Sequence, residues 1–214
     1  MPSSCSKPAS ARAFQLCGLL LLARVRAGVP AMTFKPQPFP EHLYFITGAL
    51  VGWRPLFARP EFATLVLDSL AWHRQQQRWL LYAYVIMPTH LHLIIKPGAE
   101  QTITTNLQSF GSFTAHASLK QLRASQLLAE LQYFATQRQA DATEKHQVWQ
   151  PLQAKNIYSP EFLREKMEYI HNNPIAKRWA LVDNRADYRY SSACFYDRAE
   201  PSVVEVDDAR VWLV

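Results

Sequence analysis

The sequence predicts a domain of the α+β class. A β-branched and aromatic run at residues 42–47 is typical of a first strand, and apolar side chains recur at helical spacing over residues 60–77. Two further apolar runs, at 81–87 and 90–95, flank a turn-forming Pro-Thr pair, so two strands joined by a hairpin are expected there. Strands and helices are therefore mixed, and we find no internal repeat.

The second half of the chain predicts mainly helix. A long helical region is expected over residues 104–138, with Gly111 as a candidate break, and a loop is expected over 139–158. A short strand is expected at 179–182, followed by a loop that contains residues 187–192.

One helix of this half has clear signals at both ends. Ser159 can cap its N-terminus, and Pro160 suits its first position. Pro174 ends it, because the residue before a proline is pushed out of helical geometry. Its apolar stripe, which we expect to be buried, consists of Leu163, Met167 and Ile170.

Length and composition allow one ordinary core. The chain has 214 residues, of which 49% are hydrophobic, and a formal net charge of +6. Residues 1–31 hold four basic and no acidic side chains, residues 32–199 hold 18 basic and 13 acidic ones, and residues 200–214 hold four acidic ones. This balance is compatible with a nucleic-acid partner but does not by itself establish one.

These shifts divide the chain into an N-terminal extension at 1–31, a main domain at 32–199 and an acidic C-terminal extension at 200–214. The extension at 1–31 has an apolar stretch, which could indicate a secretory signal. However, Arg24 and Arg26 follow that stretch where a cleavage site needs small, uncharged residues. We therefore favour translation from Met32, with residues 1–31 disordered or spurious.

Several protein classes are disfavoured. The three cysteines lack metal or redox spacing, which fits a reducing cytoplasm, and no apolar run is long enough for a membrane-spanning helix. No glycine pattern forms a phosphate loop or a dinucleotide fingerprint, so no nucleotide cofactor is expected. We expect a cytoplasmic, nucleoid-associated protein.

The most informative motif is His90-Leu91-His92, which directly follows Pro88 and Thr89. Side chains two apart on a strand point to the same face, so both imidazoles should project together. A lone pair of strand histidines is more often structural or solvent-facing than metal-binding. The five residues after His92 hold no Asp, Glu or His, which disfavours a zinc hydrolase. Two imidazoles and an amide oxygen suit catalytic Mg²⁺ or Mn²⁺ better.

A second cluster lies in the helix that follows Ser159. Lys166 precedes Tyr169 by one turn, and Asn172 and Asn173 follow it by one turn on the same side. A phenol and a carboxamide, combined with two histidines, are the groups needed for metal-assisted attack on a phosphodiester. Nothing in the sequence alone shows that this helix meets the histidine strand.

Together, residues 81–95 and 169–175 resemble the single-tyrosine HUH transposases, and in particular their REP-associated tyrosine transposase branch. In that family a hydrophobic residue separates the two histidines, and Leu91 fits this pattern. The resemblance covers about residues 40–196, including residues 188–192 after the tyrosine helix.

The resemblance implies a ferredoxin-like fold, in which helices cover the faces of an antiparallel sheet and the histidines lie on a central strand. It implies that His90, His92 and Asn173 hold a divalent metal, with Asn172 as the alternative third ligand. Tyr169 would be the nucleophile, leaving a 5′-phosphotyrosine and a free 3′-hydroxyl. We expect Lys166 to favour the phenolate, although a solvated helix charge is an equally good interpretation.

The implied partner is single-stranded or hairpin DNA, bound by a monomer or a homodimer. The candidate phosphate contacts are Lys96, Lys120, Arg123, Lys155, Lys177 and Arg178. Trp149 is the candidate for base stacking. Each of these has a plainer alternative as a surface charge or a packing residue, and phosphate contacts carry no information about the target sequence.

Three functions therefore remain open. The first is a metal-dependent enzyme, mobile or domesticated, that nicks and joins DNA. The second is a non-catalytic regulator of the same fold that binds single-stranded DNA. The third is an unrelated zinc hydrolase that uses His90 and His92.

Overall fold

The computed structural model describes residues 42–137 and 146–213, so the expected extension at 1–31 lies outside the described residues. The strands are β1 (Leu43–Ala49), β2 (Trp79–Ile86), β3 (His90–Pro97) and β4 (Gln153–Ile157). The helices are α1 (Pro60–Gln75), α2 (Ile103–Ala124), α3 (Leu128–Thr136), α4 (Pro160–Asn172) and α5 (Ala193–Arg198). Short 3₁₀ turns lie at Val51–Trp53, Leu56–Ala58, Arg185–Asp187 and Ala209–Trp212.

The four strands form one antiparallel sheet in the order β2-β3-β1-β4. Helix α1 connects β1 to β2, and α2 and α3 lie between β3 and β4. This connectivity is the ferredoxin-like arrangement, so the predicted fold class is confirmed. Strand β3 has a neighbour on each side, which places its two histidines on a central strand of the sheet, as expected.

The sheet separates two hydrophobic cores. Leu91, Leu93 and Ile95 of β3 belong to the core that α1 and α2 cover. Ile94 belongs to the second core, which lies against α4. The alternation predicted for β3 is therefore confirmed, and it leaves His90 and His92 on the α4 side of the sheet.

Helix α4 begins and ends where the sequence predicts. The Ser159 hydroxyl accepts a hydrogen bond from the Phe162 N–H at 3.2 Å, and Pro160 is the first helical residue. The helix ends at Asn172, and Asn173 is the residue that caps it, directly before Pro174. All three residues of the predicted stripe are buried against the sheet.

The predicted break at Gly111 is wrong. Helix α2 passes through this residue, and the chain breaks instead between α2 and α3, where Gln126 adopts a left-handed φ of 54°. Gly111 permits a close approach, because a Cβ atom there would lie 3.1 Å from Leu152 Cδ1. The glycine therefore allows Leu152 to pack against α2 and does not end the helix.

Two strand predictions also need correction. The loop expected at 139–158 contains β4, a strand at the edge of the sheet whose first four residues are exposed and mostly polar, so the alternation typical of a strand is missing. The strand expected at 179–182 is absent. A turn ends at Trp179 instead, since the Trp179 N–H donates to the Ala176 carbonyl at 2.7 Å, and Ala180 follows it with a φ of 43°.

The C-terminal stretch, which we expected as an acidic extension, packs against β2 up to residue 213. The Asp207 N–H donates to the Leu81 carbonyl at 2.7 Å, and the Asp207 carboxylate accepts from the Leu81 N–H at 3.0 Å. The Trp212 ring lies 4.7 Å from the Tyr82 ring, centroid to centroid. These contacts cover one part of the exposed edge of β2.

Residues 188–192 cover another part of the same edge. The Ile86 N–H donates to the Tyr190 carbonyl at 2.8 Å, and the Ser192 N–H donates to the Tyr84 carbonyl at 3.0 Å. The Ser192 hydroxyl also contacts Nε2 of His171 at 3.0 Å, which ties α4 to β2. None of the helices within the described ranges has the length and hydropathy to span a membrane.

We predict that the Asp207→Ala substitution lowers the free energy of unfolding by about 2–3 kcal/mol, because it removes a two-atom contact with Arg74 and leaves the Leu81 N–H without its side-chain acceptor. Urea denaturation measures the change. Glu205→Ala is the matched control, since Glu205 pairs with the same Arg74 but its side chain is 80% exposed. That control should cost less than about 1 kcal/mol. Equal losses in the two variants would contradict the prediction.

Candidate metal and nucleophile site

His90 and His92 lie side by side at the start of β3. Their ring centroids are 5.1 Å apart, and both residues are buried. The backbone of β3 sets this spacing, because residues two apart on a strand share a face. The joint projection predicted from the sequence is therefore present in the structure.

One threonine holds each imidazole. Thr47, directly opposite His92 in the pairing of β1 with β3, places its hydroxyl 3.1 Å from Nδ1 of His92. The Thr89 hydroxyl lies 3.0 Å from Nδ1 of His90. Each Nδ1 is thus engaged, and Nε2 of His92 is buried without a hydrogen-bond partner in the described part of the chain. An unsatisfied buried nitrogen of this kind is expected where a ligand binds.

Both histidines are neutral at pH 7. Burial, together with the neighbouring His90, lowers the pKa of His92 to about 3. Burial also lowers the pKa of His90 to about 4, with a contribution from the positive charge of Arg178, while a hydrogen bond with the Asn173 side chain acts in the opposite direction. Neutral imidazoles are the form that binds a metal ion.

Tyr169 of α4 reaches the histidines from the other side of the pocket. Its ring lies 5.0 Å from the His92 ring, in an edge contact, and 5.9 Å from the ring of Phe45, which also stacks on His92 at 5.3 Å. Tyr169 is nevertheless 43% exposed. The phenol is therefore in contact with the histidine pair and still accessible to a ligand.

The two asparagines at the end of α4 face different ways. The Asn173 amide nitrogen donates to the Tyr169 carbonyl at 2.8 Å, and the side chain lies close enough to His90 to raise its pKa. Asn172 is exposed and held elsewhere, since it donates to Glu168 at 3.2 Å and accepts from Arg185 at 3.0 Å. Of the two asparagines, Asn173 is therefore the one that lies beside the histidines.

Lys166 lies beside the phenol ring of Tyr169. Its ammonium is 5.8 Å from the centroid of the Tyr169 ring and 5.5 Å from that of Phe45, and it pairs with Glu165 at 2.7 Å. Its charge contributes to the lowered pKa of His92. The lysine is thus close enough to influence the site, and its effect on the phenol stays a prediction.

These groups line a pocket of about 630 Å³. Its lining residues are Phe45, Thr47, Trp53, Thr89, His90, His92, Lys166, Tyr169, Arg178 and Trp179. No group of three or more His, Cys, Asp and Glu side chains forms a metal site in the described ranges. The set that fits a divalent cation therefore consists of the two imidazoles and the Asn173 side chain. It offers the unpartnered Nε2 of His92 and an amide group.

Three of the predicted DNA contacts lie near this pocket. Arg178 lines it, and the exposed Lys177 precedes Arg178 in the turn after α4. The ammonium of Lys155 lies 4.8 Å from the ring of Phe162, whose ring Lys166 also contacts at 4.9 Å. Of these three positive charges, Arg178 is therefore the one that lies in the wall of the pocket.

The other predicted DNA contacts are not brought to the pocket. Lys120 and Arg123 lie on α2, which packs on the opposite face of the sheet from α4. Lys96 lies six positions beyond His90 on β3, which corresponds to about 20 Å along the strand. Trp149 is buried and donates its indole N–H to Thr114 at 2.9 Å. Its predicted role as an exposed ring for base stacking is therefore wrong, because the ring is buried in the core.

Sequence reasoning missed several residues of the pocket. Thr89 directly precedes His90 in a buried turn, so its contact with the His90 ring could have been inferred from the sequence. Thr47 could not, because its position opposite His92 depends on the register between two strands that are far apart in the chain. Trp53 and Trp179, whose rings lie 5.8 Å and 5.6 Å from that of His90, carried no recognisable motif.

Comparison with solved structures gives two matches. A REP-associated tyrosine transposase bound to a REP hairpin is 16% identical, with a TM-score of 0.51, over 83% of this chain and 93% of that one. A candidate transposase from Deinococcus radiodurans R1 is also 16% identical, with a TM-score of 0.41, over 64% of this chain and 95% of that one. No protein-family model and no curated protein matches the chain.

The fold and the pocket define an α+β domain in which paired histidines on a central strand face a tyrosine-bearing helix. Its fold is that of the REP-associated tyrosine transposase. The resemblance that the two sequence motifs indicate is therefore confirmed for the fold.

We predict that the metal-free protein loses stability as the pH falls from 7 towards about 5. Burial lowers the pKa of His171 to about 4, as it lowers that of the two pocket histidines, whereas a histidine in the unfolded chain takes up a proton near pH 6.5. The unfolded state therefore binds more protons across this window, so lowering the pH favours unfolding. Urea denaturation in the presence of a chelator measures the slope.

His171→Gln should reduce that slope by about one proton, or about 1.4 kcal/mol per pH unit at most. His116→Gln is the control, because His116 is exposed on α2. If neither His171→Gln nor His116→Gln changes the slope, His171 titrates normally in the folded protein.

Proposed function

We propose that this protein nicks and rejoins single-stranded or hairpin DNA in a metal-dependent reaction, with Tyr169 as the nucleophile. The observation that carries the proposal is the contact between Tyr169 and His92, whose ring centroids are 5.0 Å apart although the residues lie far apart in the sequence. A phenol and two neutral imidazoles thus line one accessible pocket, and the buried carboxamide of Asn173 lies beside His90. The shared fold with a transposase described as bound to a REP hairpin supports the same conclusion.

His90, His92 and Asn173 would hold Mg²⁺ or Mn²⁺. The unpartnered Nε2 of His92 and the side chain of Asn173 beside His90 support this choice of ligands. A bound divalent cation would supply Lewis-acid polarisation of a phosphate and would orient it. Mixed nitrogen and oxygen ligands with open positions fit such a catalytic ion better than a closed structural zinc site.

Tyr169 would perform the covalent step. Its phenolic oxygen forms a bond to phosphorus and loses its proton, while the bond from phosphorus to the 3′ oxygen breaks and that oxygen takes up a proton. The product is a 5′-phosphotyrosine and a free 3′-hydroxyl, and attack by a 3′-hydroxyl reverses the step. The phosphotyrosine bond retains the energy of the cleaved phosphodiester bond, so no nucleotide cofactor is needed. Lys166 would favour the phenolate through its positive charge.

The DNA would lie on the face that carries α4. Arg178, Lys177 and Lys155 are exposed there and would contact phosphates beside the pocket. Such contacts supply affinity without sequence selection. Activity on chromosomal DNA would place the protein in the cytoplasm with the nucleoid, as a monomer or a homodimer.

We predict that wild-type protein forms a covalent adduct with labelled DNA hairpins that carry single-stranded flanks, when Mg²⁺ or Mn²⁺ is present. Denaturing gel electrophoresis detects the adduct as a labelled band at the size of the protein. Tyr169→Phe should abolish the adduct, and so should a chelator. Tyr158→Phe is the matched control, since Tyr158 is an exposed tyrosine directly before the cap of α4, and it should retain the adduct.

The same assay separates the alternatives. DNA binding in a gel shift without an adduct would indicate the non-catalytic regulator, and neither binding nor adduct would overturn the proposal altogether. Lys166→Ala should shift the pH profile of adduct formation to higher pH. If that profile is unchanged, Lys166 is only a helix charge paired with Glu165.

We predict that Thr47→Val weakens Mn²⁺ binding about tenfold or more, because the imidazole of His92 loses the hydroxyl that holds its Nδ1. Isothermal titration calorimetry with the metal alone measures the affinity, independently of DNA cleavage. Thr47→Ser keeps the hydroxyl and should bind Mn²⁺ nearly as well as the wild type. If the valine and serine variants bind equally, Thr47 does not position the histidine.

A further inference from the structure

We infer that Trp53 and Trp179 form a stacking site for one unpaired nucleobase beside His90, with Arg178 placed to hold the adjoining phosphate. This inference rests on the proposed function and deepens it, because it assigns part of the pocket to the base next to the cleaved bond. The two indole rings lie 5.8 Å and 5.6 Å from the His90 ring, centroid to centroid.

Trp53 has the exposure of a ligand-binding ring. It is 57% exposed, although burial of a tryptophan is worth more than that of most side chains. It belongs to neither hydrophobic core of the described residues. Its apolar surface is therefore available at the wall of the pocket, within reach of a planar ligand.

The backbone at Trp53 supports a role beyond packing. Trp53 has a φ of 55°, in the left-handed region that bulky residues rarely adopt. Hydrogen bonds from the Trp53 N–H to the Leu50 carbonyl at 3.0 Å, and from the Val51 N–H to the Val148 carbonyl at 2.9 Å, hold this conformation. Strained residues of this kind concentrate at functional sites, where the surrounding structure maintains them.

Trp179 and Arg178 complete the site. Trp179 is partly buried, and its indole N–H has no hydrogen-bond partner among the residues that the structure describes. The guanidinium of Arg178 lies 5.9 Å from the centroid of the Trp179 ring. All three residues line the same pocket as Tyr169 and His92.

An unpaired nucleobase is the ligand that this chemistry fits best. Every base offers a flat π surface to an indole ring, and a guanidinium binds phosphate through paired N–H donors. A purely apolar ligand would use the rings but not the arginine. A base held beside His90 would place its own phosphate between the histidines and Tyr169, which gives the strand a register in the pocket.

Binding of two single-stranded probes tests the inference in full-length protein that carries Tyr169→Phe, so that no cleavage occurs. The probes are a fluorescein-labelled oligothymidine of about 20 nucleotides and an abasic strand of the same length, which has the phosphates but no bases. In fluorescence anisotropy, Trp53→Ala should lower the affinity for oligothymidine about five- to tenfold and leave the affinity for the abasic strand unchanged. Trp53→Phe retains a ring and should keep most of the affinity.

Trp72→Ala is the matched control. Trp72 is 47% exposed on α1, on the opposite face of the sheet, and the Arg78 guanidinium lies 5.8 Å from its ring centroid. It therefore has the same chemistry away from the pocket, and its loss should leave binding of both probes unchanged.

The inference is overturned if Trp53→Ala binds oligothymidine as its parent does, if it loses affinity for both probes equally, or if the parent does not distinguish them. If only the stacking site is wrong, the Trp53→Ala variant that retains Tyr169 still forms the covalent adduct. Conversely, a selective loss of oligothymidine binding in a protein that forms no adduct supports the stacking site and overturns the proposed cleavage.

Discussion

The alternation of β3 between two cores is the constraint on which the pocket depends. Leu91, Leu93 and Ile95 are anchored in the core beneath α1 and α2, so the intervening residues must face α4. A shift of one residue in the strand pairing of β3 would turn its leucines towards α4 and bury the imidazoles under α1. Hydrophobic burial on one face of the sheet therefore positions the polar groups on the other.

The register between β1 and β3 adds the second constraint. It places Thr47 directly opposite His92, where its hydroxyl satisfies one ring nitrogen. Burial of a polar nitrogen without a partner costs about 1–3 kcal/mol, and Nε2 of His92 is in this situation. The fold carries that cost at a position where the proposed cation would remove it.

Helix α4 carries both the proposed nucleophile and the proposed third ligand. Tyr169 and Asn173 are one helical turn apart, so helix geometry sets their separation, and the amide of Asn173 is bonded to the Tyr169 carbonyl. The serine cap fixes the start of this helix, and the contact of His171 with Ser192 ties its end to β2. The segment 188–192 therefore contributes to the site through the placement of α4, without touching the pocket.

Elements whose signals are local could be predicted from the amino-acid sequence alone. The periodicity of β3, the cap at Ser159, the stop at Pro174 and the pairing of His90 with His92 on one face could all be read from neighbouring residues, because strand and helix geometry act over a few positions. Strand β4 was not predicted because it lies at an edge of the sheet and is polar. The break at Gly111 was predicted wrongly because, in a sequence, a glycine required for close packing cannot be distinguished from one that ends a helix.

Contacts between residues that are distant in the chain were set by the folding of the whole domain. It buried Trp149, placed Lys120 and Arg123 on the far face of the sheet, and drew the acidic C-terminal stretch onto β2. It also brought Thr47, Trp53 and Trp179 to the histidines. Contacts of this kind depend on strand register and on the packing of distant segments, and a single sequence carries no local signal for either.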